Sequence, residues 1–258
     1  MANRPADVDV KQSIKDIIFA SNKYRLDDRF AIRDGKKHPF AILVPGGGYY
    51  MVSSFIEGVP VARKLNEKGI SAFIVYYRVK RKAAFPAPMD DLAAAVREIF
   101  SRAEEYGLDT DNYSIWGASA GGHLTATFGT EHIGYAKYQL PKPGALVLAY
   151  PVITMDKEKT HMGSHDNLLG KTADKVLEEM TSVEKHVTFQ YPRTFIWCSD
   201  DDDVVNPDNT RDMVAALNAA GVSVHSKIYN GVAHGAGPAT GTVAENWMNE
   251  AVTFWLNG

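Results

Sequence analysis

Trp116-Gly117-Ala118-Ser119-Ala120-Gly121-Gly122 frames a serine between glycines in the pattern Gly-x-Ser-x-Gly. Before it, residues 113–116 (Tyr-Ser-Ile-Trp) read as a strand; after it, His123-Leu124-Thr125-Ala126-Thr127 reads as the start of a helix. A serine between two such elements sits on a sharp turn with its hydroxyl presented outward. A side chain at either flanking glycine would collide with the neighbouring strand or helix. The helix that begins at Ala120 aims its amide dipoles at negative charge developing near the hydroxyl.

This strand–turn–helix unit is one repeat of a longer alternation. Apolar, β-rich runs recur at residues 40–44, 72–77, 113–116, 145–150, 194–198 and 222–229. Helical spacing occupies 57–68, 89–106, 121–130, 208–220 and 243–256, with Leu92, Val96, Ile99 and Ala103 recurring on one face of the second. Solidly apolar strands alternating with helices predict an α/β fold: a mostly parallel central sheet with helices on both faces. A polar stretch from Pro151 to Tyr191 interrupts the pattern. It predicts a lid-like insert over approximately residues 152–191, because such sheets place function on loops at their strand ends.

The length of 258 residues fits a single domain spanning residues 1–258, large enough to bury a core without staples. A net charge of −3 argues against a nucleic-acid partner, which selects a basic stripe. Cys198, the sole cysteine, excludes an intrachain disulfide framework and a cysteine-based zinc site. The first twenty residues lack the basic flank, apolar run and small-residue cleavage site of a signal peptide. No apolar run approaches the ~20 residues of a membrane helix. The expectation is a cytoplasmic protein with no membrane partner. The oligomeric state stays open, a homo-oligomer included.

Two further stretches suit the chemistry of an exposed serine. Pro45-Gly46-Gly47-Gly48-Tyr49 follows the first apolar strand, and its glycines let backbone N–H groups approach an oxyanion, with the Ala120 N–H as partner donor. A dinucleotide loop is the rival, but Gly46-Gly47-Gly48-Tyr49-Tyr50-Met51 does not satisfy Gly-x-Gly-x-x-Gly, and the phosphate-loop pattern is absent. His234, in Asn230-Gly231-Val232-Ala233-His234-Gly235, follows the last strand and can lean over the sheet as a general base. The orienting acid then comes from Asp200-Asp201-Asp202-Asp203, after the strand at 194–198. That run lacks the alternating ligands and central glycine of a calcium loop. The chain order Ser…Asp…His is that of the α/β-hydrolase fold.

Taken together, the glycine loop, Gly117–Leu124 and Gly231–Gly235 resemble small bacterial acetyl-esterase and acetylxylan-esterase-like members of the α/β-hydrolases. Phe85-Pro86-Ala87-Pro88-Met89-Asp90-Asp91-Leu92, Gly163-Ser164-His165-Asp166-Asn167-Leu168-Leu169-Gly170 and the stretch from Trp247 to Leu256 extend the resemblance from about Phe40 to the carboxyl terminus. The family's acid sits in Asp-x-x-Val-Pro, with serine or threonine eight residues on. Asp202 has Val205 and Thr210 at those positions, so the resemblance selects Asp202. Asn206 occupies the proline's place, and counting back from Pro207 would select Asp203 instead. The family's oxyanion glycines map onto Gly46 and Gly47, with Pro45 where a histidine usually stands.

The resemblance implies a serine carboxylesterase acting on short-chain acetyl esters, with acetylated xylo-oligosaccharides or other sugars as substrate class. It implies no metal and no organic cofactor. Ser119 would attack, His234 would shuttle the proton and Asp202 would orient it. Tyr49, Tyr50, Trp116 and His165 are the residues expected to line the pocket. The alternatives are an amide or formamide hydrolase, of kynurenine-formamidase or serine-peptidase kind, and a ligand-binding protein on a hydrolase scaffold.

Overall fold

The computed structural model describes residues 23–258, so the twenty residues read for targeting lie outside it. Seven strands form one sheet: β1 (Arg25–Phe30), β2 (Phe40–Val44), β3 (Ser71–Tyr76), β4 (Ser114–Ala118), β5 (Ala145–Ala149), β6 (Thr194–Ser199) and β7 (Val224–Tyr229). Their order is β1-β3-β2-β4-β5-β6-β7, parallel throughout except for β1, which runs antiparallel to β3. Every residue of β2 to β6 is buried, as a strand covered on both faces requires. The edge strands β1 and β7 are partly exposed.

The helices are α1 (Val59–Asn66), α2 (Ala87–Ser101), α3 (Ala103–Tyr106), α4 (Ser119–Phe128), α5 (Met162–Leu169), α6 (Lys175–Thr181), α7 (Asp208–Ala219) and α8 (Trp247–Leu256). The helix expected at 57–68 is preceded by a wide turn, Ser54–Gly58, and α1 proper carries Pro60 in its first turn. Proline suits that position because its missing N–H has no helical partner there. The helix expected at 89–106 breaks at Arg102 and ends at Gly107, which adopts the left-handed conformation at φ 63°. The insert holds α5 and α6. Among the described residues, no helix is long and apolar enough to cross a membrane.

The topology opens the site. From β2 the chain goes to β3 on one side, then returns to β4 on the other side of β2, with Leu43 beside Trp116 and Val44 beside Gly117. Loops leaving the carboxyl ends of β2 and β4 therefore diverge, and a crevice forms between them. The glycine loop leaves β2 there, and Ser119 leaves β4.

Candidate active site

Ser119 occupies a turn that its neighbours enforce. Its φ is 52°, rare for a side chain with a Cβ, and the residue is 6% exposed. A Cβ on Gly117 would lie 2.3 Å from Thr125 Oγ1 and 2.4 Å from the Gly121 carbonyl oxygen. One on Gly121 would lie 2.0 Å from the Val44 carbonyl oxygen. The glycines thus let α4 press against the ends of β2 and β4 and hold the turn.

The three residues predicted to act in series are brought together. His234 Nε2 is 2.9 Å from Ser119 Oγ, and His234 Nδ1 is 2.7 Å from Asp202 Oδ2. An ionised carboxylate only accepts, so Nδ1 carries the proton and Nε2 is left to accept from the serine hydroxyl. Asp202 Oδ1 accepts the backbone N–H groups of Val204 and Val205, both at 2.9 Å. Burial alone would raise the Asp202 carboxyl; the His234 hydrogen bond, those two amides and the His234 charge outweigh it and hold the group below its ordinary value. Asp203 is exposed and makes no such contact with His234, so the register counted from Val205 is the one seen. Asp201 accepts from the Ser199 hydroxyl and the Gly231 amide, while Asp200 pairs with Arg211.

Of the two glycine amides expected to face an oxyanion, Gly46 and Gly47, the fold leaves only the second without a partner among the described residues. Tyr77 Oη donates to the Pro45 carbonyl at 2.7 Å, and the Gly46 N–H on the opposite edge of that peptide donates to Glu57 Oε2 at 2.7 Å. Gly46 is therefore not a free donor, which corrects its expected place in the oxyanion hole. Its carbonyl accepts the Ser53 N–H at 2.9 Å. Peptide planarity then turns the Gly47 N–H to the opposite side, where it meets no acceptor among the described residues. Gly47 follows at φ 118°, a conformation glycine alone adopts readily. Ala120 lies in the first turn of α4, where amides have no helical partner.

A groove of about 380 Å³ borders Ser119 and His234, lined among others by Gly47, Tyr50, Glu57, His161 and Asn167. That volume is of the order of small-molecule pockets. Of the four residues expected to line it, only Tyr50 does; it is 53% exposed. Tyr49 is fully buried, its hydroxyl 2.8 Å from His123 Nδ1. Trp116 packs behind the strand ends against Trp247 and donates to Ser114 Oγ. His165 is fully buried between Asp166 and Glu178. Each of the three is ordinary packing, because its polar atom already has a partner inside the fold.

Sequence reading missed Glu57, His161 and Asn167. Glu57 interrupts the apolar run Phe55-Ile56-Glu57-Gly58-Val59, and that interruption was the available signal. Glu57 is 7% exposed; burial pushes its carboxyl up, and hydrogen bonds from Gly46 and Tyr150 with the His234 charge offset this only in part. His161 caps α5 and is held below its usual range by burial and by the charge of His234, with Asp202 opposing. Asn167, on α5, donates to the Gly48 carbonyl at 2.8 Å and so ties the insert to the glycine loop. Among the described residues no group of three or more His, Cys, Asp or Glu is placed to hold a metal ion.

Comparison with known proteins bears on this geometry. The model of the BD-FAE family matches residues 26–217. The chain is 31% identical over 219 residues to an acetylxylan esterase of Xylanibacter ruminicola, covering 83% of this chain and 44% of that protein. It is 29% identical over 260 residues to endo-1,4-beta-xylanase B of Butyrivibrio fibrisolvens, covering 93% of this chain and 40% of that protein. The chain thus spans less than half the length of these two relatives. A crystal structure of an acetyl ester-xyloside bifunctional hydrolase from Caldicellulosiruptor lactoaceticus superposes with a TM-score of 0.81 at 31% identity, covering 88% of this chain and 86% of that one.

Proposed function

Since the chain belongs to the BD-FAE family of α/β-hydrolases, we propose that it is a serine carboxylesterase that removes short acyl groups, acetyl above all, from esters of sugars such as xylo-oligosaccharides. The observation that carries this reading is the hydrogen-bonded series Asp202–His234–Ser119 opening onto the groove beside the free Gly47 amide. The sugar-ester class is supported by the relatives named above, one an acetylxylan esterase and one an acetyl ester-xyloside hydrolase.

Ser119 Oγ attacks the ester carbonyl as its proton passes to His234 Nε2, and the carbonyl oxygen becomes an oxyanion. The Gly47 and Ala120 amides hold that oxyanion; a preorganised donor of this kind is worth about 3–4 kcal/mol in the barrier. His234, now charged against ionised Asp202, returns the proton to the leaving alcohol. Water then attacks the acyl-serine by the same relay, releasing the acid and restoring the hydroxyl.

The test sets acetyl and butyryl p-nitrophenyl esters and acetylated xylo-oligosaccharides against N-formylkynurenine and aminoacyl amides. Ester turnover well above the amide and formamide rates, abolished in Ser119→Ala, is expected. A fluorophosphonate probe should label Ser119. Ester rates no better than background would overturn the esterase reading, and an unlabelled Ser119 would favour a binding protein instead.

A further inference from the structure

The groove holds a second carboxylate that the acid–base relay does not use. We propose that Glu57 is a positioning residue, a clamp that fixes the oxyanion loop and the histidine loop to one another; the proposal rests on the esterase reading.

Two arms leave the Glu57 side chain. Oε2 accepts the Gly46 N–H at 2.7 Å, and Oε1 accepts the Tyr150 hydroxyl at 3.0 Å. The Tyr150 oxygen in turn accepts the Gly237 N–H at 2.9 Å, and its ring lies edge-on to the His234 ring with centroids 4.9 Å apart. One arm therefore reaches the loop that offers the Gly47 amide, and the other reaches the loop that carries His234. Between them stands Ser119: a Cβ built on Gly46 would be 2.7 Å from Ser119 Cβ and 2.9 Å from Glu57 Oε2.

The carboxylate is also fixed from behind. The Glu57 N–H donates to the Ser53 carbonyl at 2.9 Å, and the Ser53 N–H donates to the Gly46 carbonyl, closing a ring of contacts around the peptide that presents the Gly47 amide. The clamp requires two acceptors, since both arms bring it a proton. A carboxylate supplies two oxygens; an amide supplies one, and sets its NH₂ against a donor on the other arm. Keeping an acid buried here is costly, and a group of lower burial penalty would serve if only packing were needed.

Glu57→Gln keeps the volume and breaks one arm. With p-nitrophenyl acetate its kcat is expected to fall roughly 10- to 100-fold, less than or equal to the loss of a whole oxyanion donor, while KM stays within about threefold. Affinity for benzeneboronic acid, which forms a tetrahedral adduct on serine, should weaken by about the same factor as kcat/KM. Tyr150→Phe removes only the Gly237 arm and should lose roughly fivefold in kcat; it carries the test alone if Glu57→Gln does not fold. Unchanged kcat in either folded variant, or a loss confined to KM, would overturn the clamp. A wild-type protein inert toward the acetate ester would instead overturn the esterase reading, so the two failures are told apart.

Discussion

Asp202 and Asp203 are adjacent in the chain and share no contact. The first accepts two backbone amides on one oxygen and His234 on the other, while the second lies exposed. Asp202→Asn should therefore lower kcat by roughly 10³–10⁴-fold, because an amide at that position favours the wrong imidazole tautomer. Asp203→Asn and Asp200→Asn should stay within about threefold, as solvated charges at a distance from the reacting atoms do. Steady-state rates on one acetate ester decide it, and a crippled Asp203→Asn would mean the carboxylates exchange places in solution. Ser119 and His234 were legible because glycines bracket each of them. Glu57 was not, beyond its interruption of an apolar run, since its partners, the Gly46 amide and the Tyr150 hydroxyl, are brought in by the tertiary fold, which no spacing encodes. The burial of Tyr49, Trp116 and His165 was hidden for the same reason: an aromatic ring reads alike in a core and at a pocket wall.

At the scale of elements, α4 must lie close enough to β2 for the serine and the glycine loop to meet. Gly121→Ala would put a methyl 2.0 Å from the Val44 carbonyl oxygen and 2.5 Å from that of Pro45, both rigid backbone. A loss of about 3 kcal/mol or more is expected in urea unfolding, at the upper end of overpacking effects. Gly69→Ala is the control. It has open space around it and only a left-handed φ of 74° to resist, which costs about 1 kcal/mol. Equal losses in the two variants would show that close approach is not what selects glycine at 121. Strands β2 to β6 were readable because burial on both faces leaves them solidly apolar. Strand β1, Arg-Leu-Asp-Asp-Arg-Phe, escaped notice: its most buried side chain is Asp27, satisfied by Arg29, so no hydrophobic alternation marks it. Helix α5 is similarly mute, a short polar segment ordered by what it packs against.

For the whole molecule, one buried imidazole joins parts far apart in the chain. His123 on α4 accepts from the Tyr49 hydroxyl through Nδ1 and donates through Nε2 to the Thr181 carbonyl at the end of α6, each at 2.8 Å. Burial depresses it to about 4, with the Thr181 contact opposing. A native pKa below the unfolded value of about 6.5 means that the unfolded chain binds the extra proton first. Its stability contribution is complete above about pH 6.5 and is lost as pH falls toward about 4, by up to roughly 3 kcal/mol. Urea unfolding across that range should show this slope in the wild type and a flatter one in His123→Gln. An identical slope in the variant would assign the acid sensitivity elsewhere.

The three members of the relay hang from unequal supports. Ser119 leaves β4, flanked on both sides by strands, whereas His234 follows β7, which has a neighbour on one side only and a half-open face. The rim of a sheet frays before its middle. Warming should thus loosen the imidazole's footing while the hydroxyl still stands in place, and the protein would fall silent before it melts.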